Sequence, residues 1–277
     1  MKQLYGVIGD PIAHSMSPAM HNDLFEHYQI DAVYKPFHIK KGELQEGLKQ
    51  LREMDISGFN VTVPHKTEIM PYLDHLDPLS EAIGAVNTVV NDGGKWIGYN
   101  TDGSGYIKGI LQQIDSLLDK EVLIIGAGGA ARAIYYTMAS MGVKRLDLCN
   151  RTFEKANVLV QVCPYSVPTN VLTNEQAETN LFQYDLIVQT TPIGMSPNIN
   201  NQPLSIASMK KNCFVSDIIY NPLETQFLKN AKEAGAITQN GISMFVFQGA
   251  LAFEKWTGIF PNTLRMEENV LKQLGGK

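Results

Sequence analysis

Gly126-Ala127-Gly128-Gly129-Ala130-Ala131 follows the apolar run Glu121–Ile125 and opens an alanine-rich helical pattern that reaches about Met141. In that setting the small residues have separate jobs. Gly126 permits a tight turn, Gly128 lets backbone amides approach a pyrophosphate, and Ala130 and Ala133 let helix and sheet pack closely. The helix N-terminus adds partial positive charge where phosphates would sit. A glycine run by itself is also what a plain tight turn needs; strand before and helix after point to a dinucleotide site.

The end of the next strand pattern, Arg145–Cys149, selects the dinucleotide. An NAD site needs an acid there to accept from the ribose 2′-hydroxyl. This chain has Asn150, Arg151, Thr152 and then Lys155. No carboxylate stands at the strand end to repel a 2′-phosphate, Arg151 can pair with one and lie on the adenine, Thr152 can donate, and Lys155 adds charge. Cations at a helix start oppose its dipole, so stability alone would not choose them. The expected cofactor is NADP.

A second group of polar residues clusters at strand ends in the front of the chain. Ser15 and Ser17 precede a helical pattern in which Pro18 takes the first position; there a carboxylate would meet two hydroxyls and free amides. Ser17 as N-cap and Ser15 as a loop residue is the plainer alternative. Asn60 and Thr62 share one face of the strand pattern Gly58–Val63 and need partners if buried. Lys66 follows at the strand's carboxyl end, where α/β sheets bind ligands. Asn87-Thr88 and Asn100-Thr101-Asp102-Gly103 add two more polar strand ends. Hydroxyl, amide, ammonium and carboxylate groups gather without a metal-ligand set, which suits a small polyhydroxylated acid.

These residues require a frame. Strand patterns over Leu4–Ile8, Val33–His38 and Gly58–Val63 alternate with helical patterns over Ser17–Tyr28, Lys41–Met54 and about Lys66–Leu73. Val86–Val90 and Lys95–Tyr99 flank Asn91-Asp92-Gly93-Gly94, a hairpin signal. The alternation implies a mostly parallel sheet. A second block runs from the helical pattern Tyr106–Leu117 through Glu121–Ile125, Arg145–Cys149, Asp185–Thr190 and Cys213–Ile218, the βαβ order of a doubly wound domain. Ser243–Trp256 and Glu267–Leu274 read as closing helices that either extend the second block or return to the first.

The 277 residues suffice for two domains. With 44% hydrophobic and 18% charged residues the composition is that of a globular α/β chain and excludes disorder and collagen. A net charge of −5 speaks against a nucleic-acid or polybasic membrane surface. The amino-terminal apolar run is cut by Asp10 and Pro11, too early for a signal segment, and no stretch approaches a membrane span. Cys149, Cys163 and Cys213 have no CxxC spacing and suit a reducing cytoplasm.

Taken together, His14-Ser15-x-Ser17-Pro18-x-Met20-His21-Asn22, Phe59-Asn60-Val61-Thr62-x-Pro64-His65-Lys66, Gly84-Ala85-Val86-Asn87-Thr88, Asn100-Thr101-Asp102-Gly103, the glycine loop, Asn150-Arg151-Thr152 and Gly241-Ile242-x-Met244 resemble the shikimate dehydrogenase family over nearly the whole chain. The resemblance implies an α/β protein of two domains. Residues 1–103 with 242–277 would form a substrate-binding and catalytic domain, and 104–241 a Rossmann-type doubly wound NADP domain, with the C-terminal helices returning to the first. It implies reversible NADPH-dependent reduction of 3-dehydroshikimate to shikimate, a step toward chorismate and the aromatic amino acids, by a cytoplasmic enzyme that is a monomer or homodimer. Ser15 and Ser17 would hold the substrate carboxylate. Thr62, Lys66, Asn87 and Asp102 would contact ring hydroxyls, Asn60 would line the pocket, and Tyr220 and Gln248 would complete it. Gly126, Ala127, Gly128, Gly129, Ala130, Asn150, Arg151, Thr152 and Lys155 would bind NADP, with Thr191, Met195, Ile218 and Gly241 near its nicotinamide half. Lys155 stands where an arginine is also common in the family, and the tract around Ile218 and Tyr220 matches more loosely.

The chemistry of such a reaction needs a cation where charge builds on the carbonyl oxygen, since it interacts more strongly with the developing alkoxide than with the ketone. Lys66 and Asp102 read as one acid–base unit for that task. Closure of a cleft hinged near Gly103–Gly105 and Asn240–Gly241 is a further expectation. Three rivals stand beside this one: a relative that also takes quinate, a non-catalytic sensor, which would not need the Lys66–Asp102 pair, and a bifunctional tetrahydrofolate dehydrogenase, disfavoured by the His14–Asn22 and Asn60–Lys66 strings.

Overall fold

The computed structural model describes residues 2–275; Met1, Gly276 and Lys277, the outermost positions of the expected first domain, lie outside the described residues. The chain divides into two units, 1–101 with 246–277, and 102–245. Against the expected junctions at 103/104 and 241/242, Asp102, Gly103 and residues 242–245 fall in the second unit.

In the first unit, β1 (Gln3–Gly9), α1 (Ser17–His27), β2 (Ala32–His38), α2 (Leu44–Glu53), β3 (Gly58–Val61), β4 (His75–Leu76), α3 (Pro78–Ile83), β5 (Thr88–Asp92) and β6 (Lys95–Tyr99) build a six-stranded sheet in the order β2-β1-β3-β5-β6-β4. β1 pairs parallel to β2 and β3, whereas β5 runs antiparallel to both β3 and β6. With β4 parallel to β6, the sheet is mostly parallel, as the alternation implied, and β5 alone is reversed. The hairpin that follows β5 turns on Gly93 and Gly94, both at positive φ, with Asp92 paired to Lys95. Ile8, Phe59, Val61 and Val89 join Leu44, Leu48 and Leu51 of α2 in the core, the leucines at the spacing of one helix face.

The helix expected near Lys66–Leu73 is absent. Turns occupy 63–69 and a single 3₁₀ turn covers Met70–Tyr72. Pro71 explains this: it has no amide hydrogen to donate and its ring clashes with the carbonyl four residues back, at Thr67.

The second unit contains α4 (Asp102–Ile110), β7 (Glu121–Ile125), α5 (Gly129–Met141), β8 (Arg145–Cys149), α6 (Phe153–Gln161), β9 (Val171–Leu172), α7 (Asn174–Asn180), β10 (Leu186–Gln189), β11 (Phe214–Asp217), α8 (Gln226–Glu233) and β12 (Ile237–Gln239). Its strands are all parallel, in the order β12-β11-β10-β7-β8-β9. Numbered within the unit this is 6-5-4-1-2-3, the doubly wound Rossmann order, and the loop after β7 lies where that order reverses. The sheet is apolar on both faces because helices cover both: Leu123, Ile187 and Val215 are buried side by side on one face, Ile124 and Val188 on the other. The chain then runs into α9 (Ile242–Thr257), within which residue 246 begins the return to the first unit, and ends with α10 (Thr263–Gln273). No helix among the described residues is long and apolar enough to cross a membrane.

Candidate active site

In the first unit, Ser15 and Ser17 follow β1, Asn60 lies on β3 with Thr62 and Lys66 after it, Asn87 immediately precedes β5, and Gln248 lies on α9. Ser17 is the first residue of α1, not its cap; the cap position is Met16, which offers no side-chain acceptor. The Ser17 hydroxyl is thus not consumed in capping. Its backbone amide instead donates to Ser15 Oγ at 3.3 Å, which brings the two serines together at the helix start.

Asn60 is buried on β3. Its Nδ2 donates to the Asn87 carbonyl and to Thr88 Oγ1, both at 3.1 Å, and its Oδ1 accepts from the Tyr34 hydroxyl at 2.7 Å. The Asn87 side chain turns toward Thr101, accepting from its amide at 2.8 Å and donating to its hydroxyl at 3.0 Å. Thr101 Oγ1 in turn donates to the Gln248 carbonyl at 3.0 Å. These are buried polar groups that would be costly unpaired, and they satisfy one another in one continuous wall.

Thr62 and Lys66 share the turn that follows β3. The His65 amide donates to the Thr62 carbonyl at 3.0 Å, and the Lys66 carbonyl accepts from Val86 N at 2.8 Å. The His65 ring is fully buried and bonds the Ile39 carbonyl through Nε2 at 2.6 Å, which anchors the turn from within. His65 is structural by this geometry.

Asp102 and Tyr220 belong to the second unit. Asp102 opens α4, where a carboxylate is favoured by the helix dipole. The glycine-rich start of that helix fits a close crossing of α5, since a Cβ on Gly103 would overlap Thr137 and Ala133 of α5. Tyr220 stacks at a tilt on Phe245, ring centres 5.4 Å apart, and burial raises its phenol pKa.

The glycine loop has the geometry that its residue types imply. Gly126 adopts φ +118°, closed to other residues, and its amide donates to the Cys149 carbonyl at 2.7 Å. Gly128 caps α5 with no side-chain bond, and a Cβ on Gly128 or Gly129 would meet nothing within 4 Å. Ala127 and Ala130 are half-buried beside them. The start of a 13-residue helix with no acid in its first turn is left for an anion, so these residues fit a dinucleotide pyrophosphate. At the end of β8, Asn150 Nδ2 bonds the Thr152 carbonyl at 2.7 Å, and this turn leaves Arg151, Thr152 and Lys155 exposed.

Gln189, which sequence reasoning missed, organises the loop that carries Thr191 and Met195. Fully buried at the end of β10, it donates to the carbonyls of Thr191 and Ile193, each at 3.0 Å, and accepts from the Thr191 amide. A single amide closing the apolar run Leu186-Ile187-Val188 was the available signal. Ile218 follows β11, and Gly241 approaches it so closely that a Cβ there would overlap the Ile218 carbonyl.

Residues 7–89 match the profile described as the shikimate dehydrogenase substrate binding domain, 109–224 that of shikimate / quinate 5-dehydrogenase, and 241–271 that of the shikimate 5'-dehydrogenase C-terminal domain. The chain is 56% identical over 278 residues to the shikimate dehydrogenase (NADP(+)) of Bacillus cereus, covering all of both chains. It also resembles the Listeria monocytogenes shikimate 5-dehydrogenase solved with shikimate and NAD, at TM-score 0.92 and 36% identity over 97% of this chain and 96% of that one. The Thermus thermophilus enzyme solved with NADP(H) and shikimate aligns at TM-score 0.88 and 32% identity, over 98% of this chain and 99% of that one.

Proposed function

The chain belongs to the shikimate dehydrogenase family, and from that premise we propose that it catalyses the reversible NADPH-dependent reduction of 3-dehydroshikimate to shikimate. The observation that carries this reading is the 56% identity, over the full length of both chains, to an enzyme named for that NADP-linked activity. The glycine loop, Arg151, Thr152 and Lys155 would hold NADP, which when bound supplies or accepts the hydride.

The chain's own residues do the rest. Ser15 and Ser17 present hydroxyls and helix-start amides to the substrate carboxylate. Thr62, Asn87 and Gln248 orient the ring hydroxyls, and Asn60 and Tyr220 line the pocket. The Lys66 ammonium stabilises the oxygen as it gains charge on reduction and gives it a proton; in the oxidative direction it takes that proton back. Asp102 accepts from the same hydroxyl and completes the acid–base unit. Thr191, Met195, Ile218 and Gly241 form the nicotinamide end. Three cysteines without a disulfide partner support a cytoplasmic setting.

The test is the rise in NADPH absorbance when the protein is mixed with shikimate and NADP. Rapid turnover is expected, with slower rates on quinate or with NAD. No turnover of shikimate with NADP would overturn the assignment, and faster turnover of quinate would move it to the quinate branch that the profile over 109–224 also names.

A further inference from the structure

His21 and Asn22 belong to the motif between β1 and the body of α1, yet the reaction above uses neither. Both grip Tyr34. Asn22 Nδ2 donates to the carbonyls of Pro18 at 2.8 Å and Tyr34 at 2.9 Å, while its Oδ1 accepts from the Tyr34 amide at 2.8 Å. The His21 ring stacks on the Tyr34 ring, centres 4.6 Å apart and 22° from parallel, with Phe253 stacked 6.3 Å away and Trp256 edge-on at 5.3 Å. Tyr34 is held by backbone and by ring, and only 1% of its surface is exposed.

What this grip delivers is a directed hydrogen. Asn60 Nδ2 faces the Asn87 carbonyl, which can only accept, so the atom turned to Tyr34 is Oδ1 and the 2.7 Å contact requires the phenol to donate. Burial raises the phenol pKa well above its ordinary value, against a smaller opposing effect of the Ser17 hydroxyl, so the hydrogen stays in place. The direction then passes along the wall. Thr88 Oγ1 receives from Asn60 and donates to Asn87 Oδ1 at 3.0 Å, and Asn87 Nδ2 is left facing Thr101.

We propose that Tyr34 is a positioning residue of the substrate site: its hydroxyl orients the Asn60 amide and, through Thr88, the Asn87 amide that meets the substrate hydroxyls. The inference rests on the reading of Asn60 and Asn87 as substrate contacts. It assigns Asn60 a narrow part, since both its N–H groups and one side of its oxygen are occupied; one acceptor position remains for a substrate hydroxyl.

Tyr34→Phe keeps the ring and removes only the donor. The expected result is a roughly three- to tenfold rise in KM for shikimate, with KM for NADP and kcat within about threefold of the parent. Exchange of the Asn60 side-chain amide with solvent, followed by NMR in the ligand-free protein and assigned by its absence in Asn60→Ser, should accelerate. An unchanged shikimate KM, or equal losses in kcat and both KM values, would overturn the proposal. Should Tyr34→Phe fail to fold, Thr88→Val breaks the next link, and an unchanged shikimate KM there has the same force. Absence of shikimate turnover in the parent protein would instead strike the reaction assignment, and the amide exchange would still report whether Tyr34 orients Asn60.

Discussion

The hydroxyl of Thr225 donates to Oδ2 of Asp217 at 2.8 Å, and the Ile219 amide donates to Oδ1 at 2.9 Å, in a place where the carboxyl has no exposure to water. Burial wins over both bonds and pushes the Asp217 carboxyl up to about 6 from 3.8. As pH rises through that window the unfolded chain ionises first, so the folded state binds more protons and stability falls, by about 3 kcal/mol in total. Asp217→Asn should flatten this slope. Urea unfolding followed by circular dichroism between pH 4 and 7 checks it, since neither Trp96 nor Trp256 lies in the second unit. An unaltered slope in Asp217→Asn would place the titration elsewhere.

Arg151 tests the choice of cofactor. It stands exposed after β8, in the turn pinned by Asn150. A guanidinium bonded to a 2′-phosphate contributes about 1.5–3 kcal/mol, so Arg151→Ala should weaken NADP by roughly tenfold or more. NAD, which lacks that phosphate, should bind within about twofold of the parent value. Titration calorimetry with both cofactors decides it; an equal loss for the two would remove Arg151 from phosphate recognition.

The second unit was legible because its signals are local. A β-branched run followed at once by Gly126 and an alanine-rich helix has few other ways to fold, and β7, α5 and β8 begin and end where the pattern put them. Less local features were harder to see. α4 starts at Asp102 rather than near Tyr106 because its glycines, poor helix formers, are needed where α4 crosses α5. The polar face of β3 announced that Asn60 needs partners, but the donor that orients it comes from Tyr34, 26 residues earlier on another strand, where an aromatic reads simply as core. Gln189 was hidden for the same reason: its role lies in the loop it ties, and only its odd placement after three apolar residues marks it.

His21 predicts an acid limit for the first unit. Both ring nitrogens are buried without a hydrogen-bond partner, and burial holds the imidazole down to about 3 from 6.5. The unfolded chain therefore takes up this proton first as pH falls. Stability is complete above about 6.5 and is lost progressively toward 3, by on the order of 4–5 kcal/mol. Between pH 7 and pH 5 the loss is about 2 kcal/mol. His21→Phe keeps the stack on Tyr34 and removes the titrating group, so the variant should hold its stability at pH 5. Trp256, edge-on to His21, supplies the fluorescence signal for urea unfolding. Equal acid sensitivity in both proteins would show that His21 is not the group responsible.

Lys66 carries the largest expected effect. Its turn is fastened by the buried His65 ring to Ile39 and by its own carbonyl to Val86, so loss of the ammonium alone should leave the backbone of the turn in place. In the proposed reaction, its loss would leave the oxygen that gains charge on reduction without both a stabilising cation and a proton donor. A positioned acid–base group is worth about 10²–10⁴ in rate, and Lys66→Met should lower kcat by that order. The residues proposed to hold the cofactor lie in the other unit, so NADP affinity should stay within about twofold, a difference of well under 1 kcal/mol. Steady-state rates in both directions, read beside NADP titration, check the two halves separately. A Lys66→Met protein that retains near-parental kcat would mean that another group delivers the proton, whereas parallel loss of kcat and NADP binding would mean that the substitution had disturbed the fold rather than the chemistry.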